Sequence, residues 1–286
     1  MNTDIKTVGI VGLGLIGGSM AKAVSEHTGA AVFGFDINNE VMNMAVMSGS
    51  IKGVLTKEKL RECDLLMVAL TPQRLINWVC ENAKYFGKDT ILCDLCGIKR
   101  VVMDKLIPVS KNYGFPYVGG HPMAGKEVSG FVNAEPSLFN GASMILVPQK
   151  ETDINCLDAL KSFFLRIGFG TVVFTTMEEH DRIISYTSQL AHITSSAYIK
   201  SPTSQKHMGF SAGSYKDMTR VARLDPAMWT ELFLDNRDNL CAELHELIKN
   251  LTDYLDALEA DDEKELYSLL EDGLIKKLND KDGCER

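Results

Sequence analysis

The run Val8-Gly-Ile-Val-Gly12-Leu-Gly14-Leu-Ile-Gly17-Gly18-Ser19 constrains the fold more than any other feature of the chain. An apolar stretch leads into a GxGxxG turn, and a helical pattern follows. Gly12 allows a tight turn, Gly14 lets the backbone approach a pyrophosphate, and Gly17 lets a helix pack closely on the strand. Unpaired N–H groups at the helix start then face the phosphates. The dinucleotide-binding residues read from this turn are Gly12, Leu13, Gly14, Leu15, Ile16 and Gly17. A second apolar run ends in Asp36, placed 19 residues after Gly17, where a carboxylate binds the ribose hydroxyls. That carboxylate repels a 2′-phosphate, and no Arg follows in Asp36-Ile-Asn-Asn-Glu40, so the expected cofactor is NAD and not NADP.

The same rhythm continues downstream. Runs at 65–70, 90–93, 117–119, 143–147 and 171–174 read as strands, after those at 8–11 and 31–35. Helical patterns lie between several of them, near 15–27, 38–48, 73–85 and 154–166. Strands alternating with helices predict an α/β fold with a doubly wound, mostly parallel sheet. Ligands bind such sheets beyond the carboxyl ends of the strands, so Thr71 and Pro72 are further candidates for cofactor contact. After 175 the strand signal stops. Thr175-x-x-Glu178 and Thr176-x-x-Glu179 both have the form of a capping box opening a long helix. Asp225-Pro226 opens a second, whose apolar stripe runs to Leu258, and a third carries Leu266 to Leu278. The expected division is therefore an α/β domain over 1–175 and an all-helical one over 176–286. The long stripes of the second domain suggest packing on the first or a helical dimer interface.

The formal charge is −8. That balance argues against a nucleic-acid partner, which calls for a basic footprint. The charge is uneven, however: residues 231–286 hold 17 acidic and 7 basic side chains, a net of −10 that leaves +2 for the rest. No apolar run is long enough for a membrane span, and residues 1–7 lack an apolar signal segment. Seven scattered cysteines suit a reducing cytoplasm. Cys93 and Cys96 are a lone CxxC pair in an apolar context, so no metal site is expected there.

Gly119-Gly-His121-Pro-Met-Ala-Gly125 follows a short strand. A histidine held on such a constrained loop suits a general acid or base, because imidazole titrates near neutral pH. Together with the opening GLGLIGGS, Asp94-Leu-Cys-Gly-Ile-Lys99, Gly213-Ser-Tyr-Lys-Asp217-Met-Thr-Arg220 and Asp225-Pro226-x-x-Trp229, this segment resembles the prephenate/arogenate dehydrogenase family over roughly residues 5–240. The resemblance implies a Rossmann-type domain followed by a helical dimerisation domain, hence a homodimer. It implies oxidative decarboxylation of prephenate with NAD. By the same resemblance His121 is the catalytic base and Arg220 binds a substrate carboxylate. His192 and Trp229 contact the substrate from the helical part. His180-Asp181 also matches the family and reads here as a structural capping pair.

Two departures stand out. The family's serine in Asp-x-Gly-Ser-x-Lys is replaced by Gly97, so the partner of His121 is left open among a water, the Cys96 thiol and Ser129. Gln189 and Ala191 stand where the family has histidine and proline. The alternatives are an arogenate dehydrogenase, another dehydrogenase of the same fold group and a non-catalytic dinucleotide sensor.

Overall fold

The computed structural model describes residues 4–280. Among them eight strands form one sheet: β1 (Thr7–Val11), β2 (Ala31–Phe35), β3 (Gly53–Val54), β4 (Leu65–Val68), β5 (Ile91–Asp94), β6 (Tyr117–Pro122), β7 (Ser143–Val147) and β8 (Thr171–Phe174). Their order is β3-β2-β1-β4-β5-β6-β7-β8. Neighbours are parallel except β6 and β7, which run antiparallel. The predicted doubly wound, mostly parallel sheet is therefore present. β3 is an addition, because two residues are too few to make a pattern.

Helices cover both faces, which is why β4 is apolar and buried at every position. Leu65 and Met67 of β4 face one layer, built on α1 (Leu15–His27), α2 (Asn39–Met47) and, later in the chain, α6 (Ile154–Arg166). Leu66 and Val68 face the other, built on α3 (Lys57–Glu62), α4 (Pro72–Asn82) and α5 (Arg100–Tyr113). Strand order reverses between β1 and β4, so the crevice of a doubly wound sheet opens there, at the carboxyl ends of both.

After β8 the described chain is helical. α7 (Met177–Ile184) opens with Thr176 accepting a hydrogen bond from the Glu179 N–H at 3.2 Å, one of the two predicted caps. A wide π-turn over Ser185–Leu190 joins it to α8 (Ala191–Tyr198). α9 (Gly213–Thr219) and α10 (Pro226–Asp235) follow. The single second helix expected from the stripe is broken at Asn236, between α10 and α11 (Arg237–Glu259). Asn236 is buried without exposure and leaves helical geometry, at φ −122° and ψ 24°. Its side-chain amide serves other segments instead of extending a helix surface. α12 (Glu263–Leu278) is the predicted third helix. Contacts group the chain into two compact units that meet in sequence between Asn236 and Arg237. No helix among the described residues is long and apolar enough to cross a membrane.

Candidate active site

The glycine turn lies between β1 and α1. Gly12 has φ +81°, a conformation that L side chains rarely adopt, and its N–H donates to the Phe35 carbonyl at 2.8 Å. At Gly17 a Cβ would stand 1.8 Å from the Gly12 carbonyl oxygen, so only glycine lets α1 start this close to β1. Nothing lies within 4 Å of a Cβ built at Gly14, which leaves its exposed face open to a ligand. Asp36 stands beside this turn. One carboxylate oxygen accepts from the Leu13 N–H at 2.8 Å and the other from the Asn38 N–H at 2.9 Å, which fixes the side chain while leaving lone pairs for hydroxyl donors. The Leu13 side chain is wholly buried, whereas Leu15 and Ile16 are half-buried at the turn. Thr71 and Pro72 form the start of α4, across the crevice from the glycine turn. Thr71 makes no side-chain cap bond, and a neighbouring carboxylate, Glu231, accepts from the Gln73 N–H at 2.7 Å. Open space at Gly14, a cradle closed by glycines and an anchored carboxylate fit a dinucleotide.

His121 belongs to β6 itself, paired in register with Ile145 of β7, and does not sit on a free loop after the strand. The Asp94 carboxylate at the end of β5 is paired with the Lys99 ammonium, accepts the Tyr117 hydroxyl at 2.9 Å and the Cys96 N–H at 3.0 Å. Asp94, Lys99 and Tyr117 are all buried. This cluster pins the segment 95–99, and with it Gly97, next to the imidazole. A Cβ at Gly97 would lie 3.8 Å from His121 Nε2 and 3.9 Å from Leu232, ordinary contact distances, so the missing serine leaves room and not a clash.

At Nδ1, the partner of His121 is neither the Cys96 thiol nor Ser129. Its Nδ1 lies 2.9 Å from Nε2 of His180, on α7, and His180 Nδ1 lies 2.7 Å from Asp181 Oδ1. The Cys96 thiol is buried and pushed up to about 12, chiefly by burial. His180 and Asp181 are therefore more than a local cap. Asp181 does cap a helix, but a distant one: Oδ1 accepts from the Lys99 N–H at 2.7 Å, and Oδ2 from the Arg100 N–H at 2.9 Å and Arg100 Nε at 3.3 Å. Burial opposes its ionisation, but hydrogen bonds from His180 and these N–H groups outweigh that and hold the carboxyl below its ordinary value. Burial, then the neighbouring His180 and Lys99, hold His121 well below the ordinary imidazole value. Burial likewise lowers His180, more than its bond to Asp181 raises it.

A second cluster gathers the remaining predicted residues. The His192 ring lies 3.9 Å from the Trp229 ring, centre to centre, and its Nδ1 lies 2.8 Å from the Ser188 carbonyl, to which it donates. Burial lowers its pKa, and the Arg220 guanidinium adds to this. Arg220 is exposed and paired with Glu127, six residues after His121. Glu127 was not singled out from the sequence, and no local pattern marks it. The two clusters are linked through Asn236, whose Nδ2 donates to the Asp181 carbonyl at 2.9 Å and to Gln189 Oε1 at 2.8 Å. Gln189 in turn donates to the Leu232 carbonyl at 3.0 Å.

A doubly wound sheet with a dinucleotide turn on its first strand, and a buried imidazole pair at its carboxyl edge, defines a dinucleotide-dependent oxidoreductase. The family model described as prephenate dehydrogenase, nucleotide-binding domain, matches residues 20–173, and that for the dimerization domain matches 176–272. The chain belongs to the prephenate dehydrogenase family. It is 30% identical over 277 residues to prephenate dehydrogenase of Bacillus subtilis, covering 93% of this chain and 74% of that one. It is 27% identical to cyclohexadienyl dehydrogenase of Zymomonas mobilis, with 91% of each covered. Its fold matches prephenate dehydrogenase of Aquifex aeolicus, solved with hydroxyphenyl propionate and NAD+, at a TM-score of 0.82 and 28% identity, covering 98% of this chain and 99% of that one.

Proposed function

We propose that the chain catalyses the NAD-dependent oxidative decarboxylation of prephenate to 4-hydroxyphenylpyruvate, a step of tyrosine biosynthesis. The observation that carries this reading is His121. It is a largely buried imidazole at the carboxyl edge of the sheet, held by Nδ1, with Nε2 beside the open space at Gly97. In this reading residues 1–175 bind the dinucleotide, and 176–286 provide the substrate side and the dimer contact.

NAD, held by Gly12, Leu13, Gly14, Leu15, Ile16 and Gly17, with its ribose on Asp36 and with Thr71 and Pro72 across the crevice, supplies the two-electron acceptor when bound. His121 Nε2 takes the proton from the ring hydroxyl of prephenate as that carbon is oxidised. The ring carboxylate then leaves as CO2, and the two electrons of its C–C bond complete the aromatic ring. A base for this step must be neutral when substrate arrives, which the depressed pKa of His121 provides. Arg220 pairs with a substrate carboxylate, for which its fork of donors is suited. His192 and Trp229, stacked on one another, wall the ring.

The dimer is supported by unit Arg237–Arg286, where Ile248, Leu251, Leu255 and Leu258 on α11 and Leu270, Leu274, Ile275 and Leu278 on α12 are each more than half exposed. A cytoplasmic setting is supported by the described cysteines, all unpaired. The reaction is tested by following NADH or NADPH formation with prephenate and with arogenate, each with NAD and with NADP. Turnover is expected with prephenate and NAD. A protein that binds NAD tightly yet turns over none of these pairs overturns the assignment.

A further inference from the structure

His121 is useful as a base only if its proton sits on Nδ1, leaving the Nε2 lone pair towards the site. A free imidazole does not hold that tautomer, and the family serine that could influence it is Gly97 here. The hydrogen bonds around Asp181 decide the matter by elimination. Both carboxylate oxygens of Asp181 accept: Oδ1 from the Lys99 N–H and Oδ2 from the Arg100 N–H and guanidinium. An ionised carboxylate has no proton to give, so the 2.7 Å contact of Oδ1 with His180 must be donated by His180 Nδ1–H. A neutral His180 then carries a lone pair on Nε2. The 2.9 Å contact of that atom with His121 Nδ1 can be made only if His121 Nδ1 donates. His121 Nε2 is left unprotonated.

We infer that Asp181 and His180 are positioning residues that fix the tautomer of His121 through an Asp–His–His hydrogen-bond chain. This inference rests on the proposed reaction for its catalytic meaning, but not for its geometry. The surroundings favour a neutral His180. The ring is buried, and Lys99 opposes a further positive charge; Asp181 and Asp94, which would attract one, are already shared with the Arg100 guanidinium and with Lys99 and Tyr117. The chain has a second consequence. The two N–H groups from which Asp181 accepts belong to Arg100, the first residue of α5, and to Lys99 before it. The same carboxylate that orients the base therefore anchors the segment carrying Gly97 against it.

The test is an NMR measurement on the whole protein labelled with 15N-histidine, which separates protonated ring nitrogens from those with a free lone pair. The His121 resonances are assigned by comparison with His121→Asn. In the unsubstituted protein His121 is expected to be protonated at Nδ1 and free at Nε2. His180→Phe keeps a ring but removes the acceptor, and should give His121 a mixture of tautomers. His180→Gln keeps an acceptor and should restore the original pattern. With prephenate, His180→Phe should lower kcat at least about 10-fold with KM changed less than about threefold, as for the loss of a partner that holds a functional histidine in place. A His121 protonated at Nε2 in the unsubstituted protein, or an unchanged tautomer and kcat in His180→Phe, overturns the inference. Because the NMR needs no substrate, a protein with the expected tautomer but no prephenate turnover loses the proposed reaction and keeps the relay.

Discussion

Protonating His121 is costly because the ring is buried and already faces His180 and Lys99. The pKa is lowered, so the neutral form of this proposed base is present throughout the neutral range and is lost only as pH falls through a midpoint below the ordinary 6.5. We predict that kcat/KM for prephenate is flat near neutrality and falls on acidification with that low midpoint; a limb centred above 6.5 contradicts the assignment. His121→Asn should lower kcat about 10²–10⁴-fold, the contribution of a positioned base, measured by NADH formation. His121 was legible because Gly-Gly-His-Pro is a local signal. The ring that its Nδ1 meets was not. His180 is 59 residues away and lies in a segment whose local pattern announces a helix cap. Sequence spacing carries no record of which faces the fold will press together. Glu127 escaped notice for the same reason, since its partner Arg220 is 93 residues on.

Strands that fill both faces of a sheet announce themselves, and seven of the eight were read from apolar runs bounded by turns. α5 was not, and its start explains why. No side chain within the helix caps it; Asp181 does so from α7, and Pro108 interrupts its interior pattern. A helix stabilised from outside leaves little local trace. The break at Asn236 is the complementary case. Its apolar stripe continues undisturbed on either side, while the interruption is made by one amide bonded to Asp181, Gln189 and Arg100. Asn236→Ala should therefore destabilise the protein by about 1–3 kcal/mol, the cost of leaving buried polar partners unsatisfied. Thermal or urea unfolding measures it, and an unchanged midpoint would mean that these bonds are not what holds α10 in place.

On the scale of the molecule, sign and shape separate. The net −10 after residue 230 lies in a segment whose described helices also expose long leucine stripes, and the remainder carries +2. A dicarboxylate substrate is thus compatible with an acidic protein, because the cation that would bind it, Arg220, is placed locally. Exposed stripes of this extent call for a partner surface. We predict a dimer by sedimentation velocity, converted to monomer by Leu251→Glu with Leu255→Glu; a species that is monomeric before substitution, or dimeric after it, removes these helices from the contact. The π-turn at Ser185–Leu190 also acts across the molecule, as a shift of helical phase. Twelve residues separate His180 from His192, which in an unbroken α-helix turns the second about 120° away from the first. A π-turn takes in one residue without advancing the helix by its usual rotation, which brings that offset to about 20°. One surplus residue thereby turns an imidazole that orients the base and one that stacks on Trp229 toward the same side of a single helical rod, and a deletion there would separate them without altering either histidine.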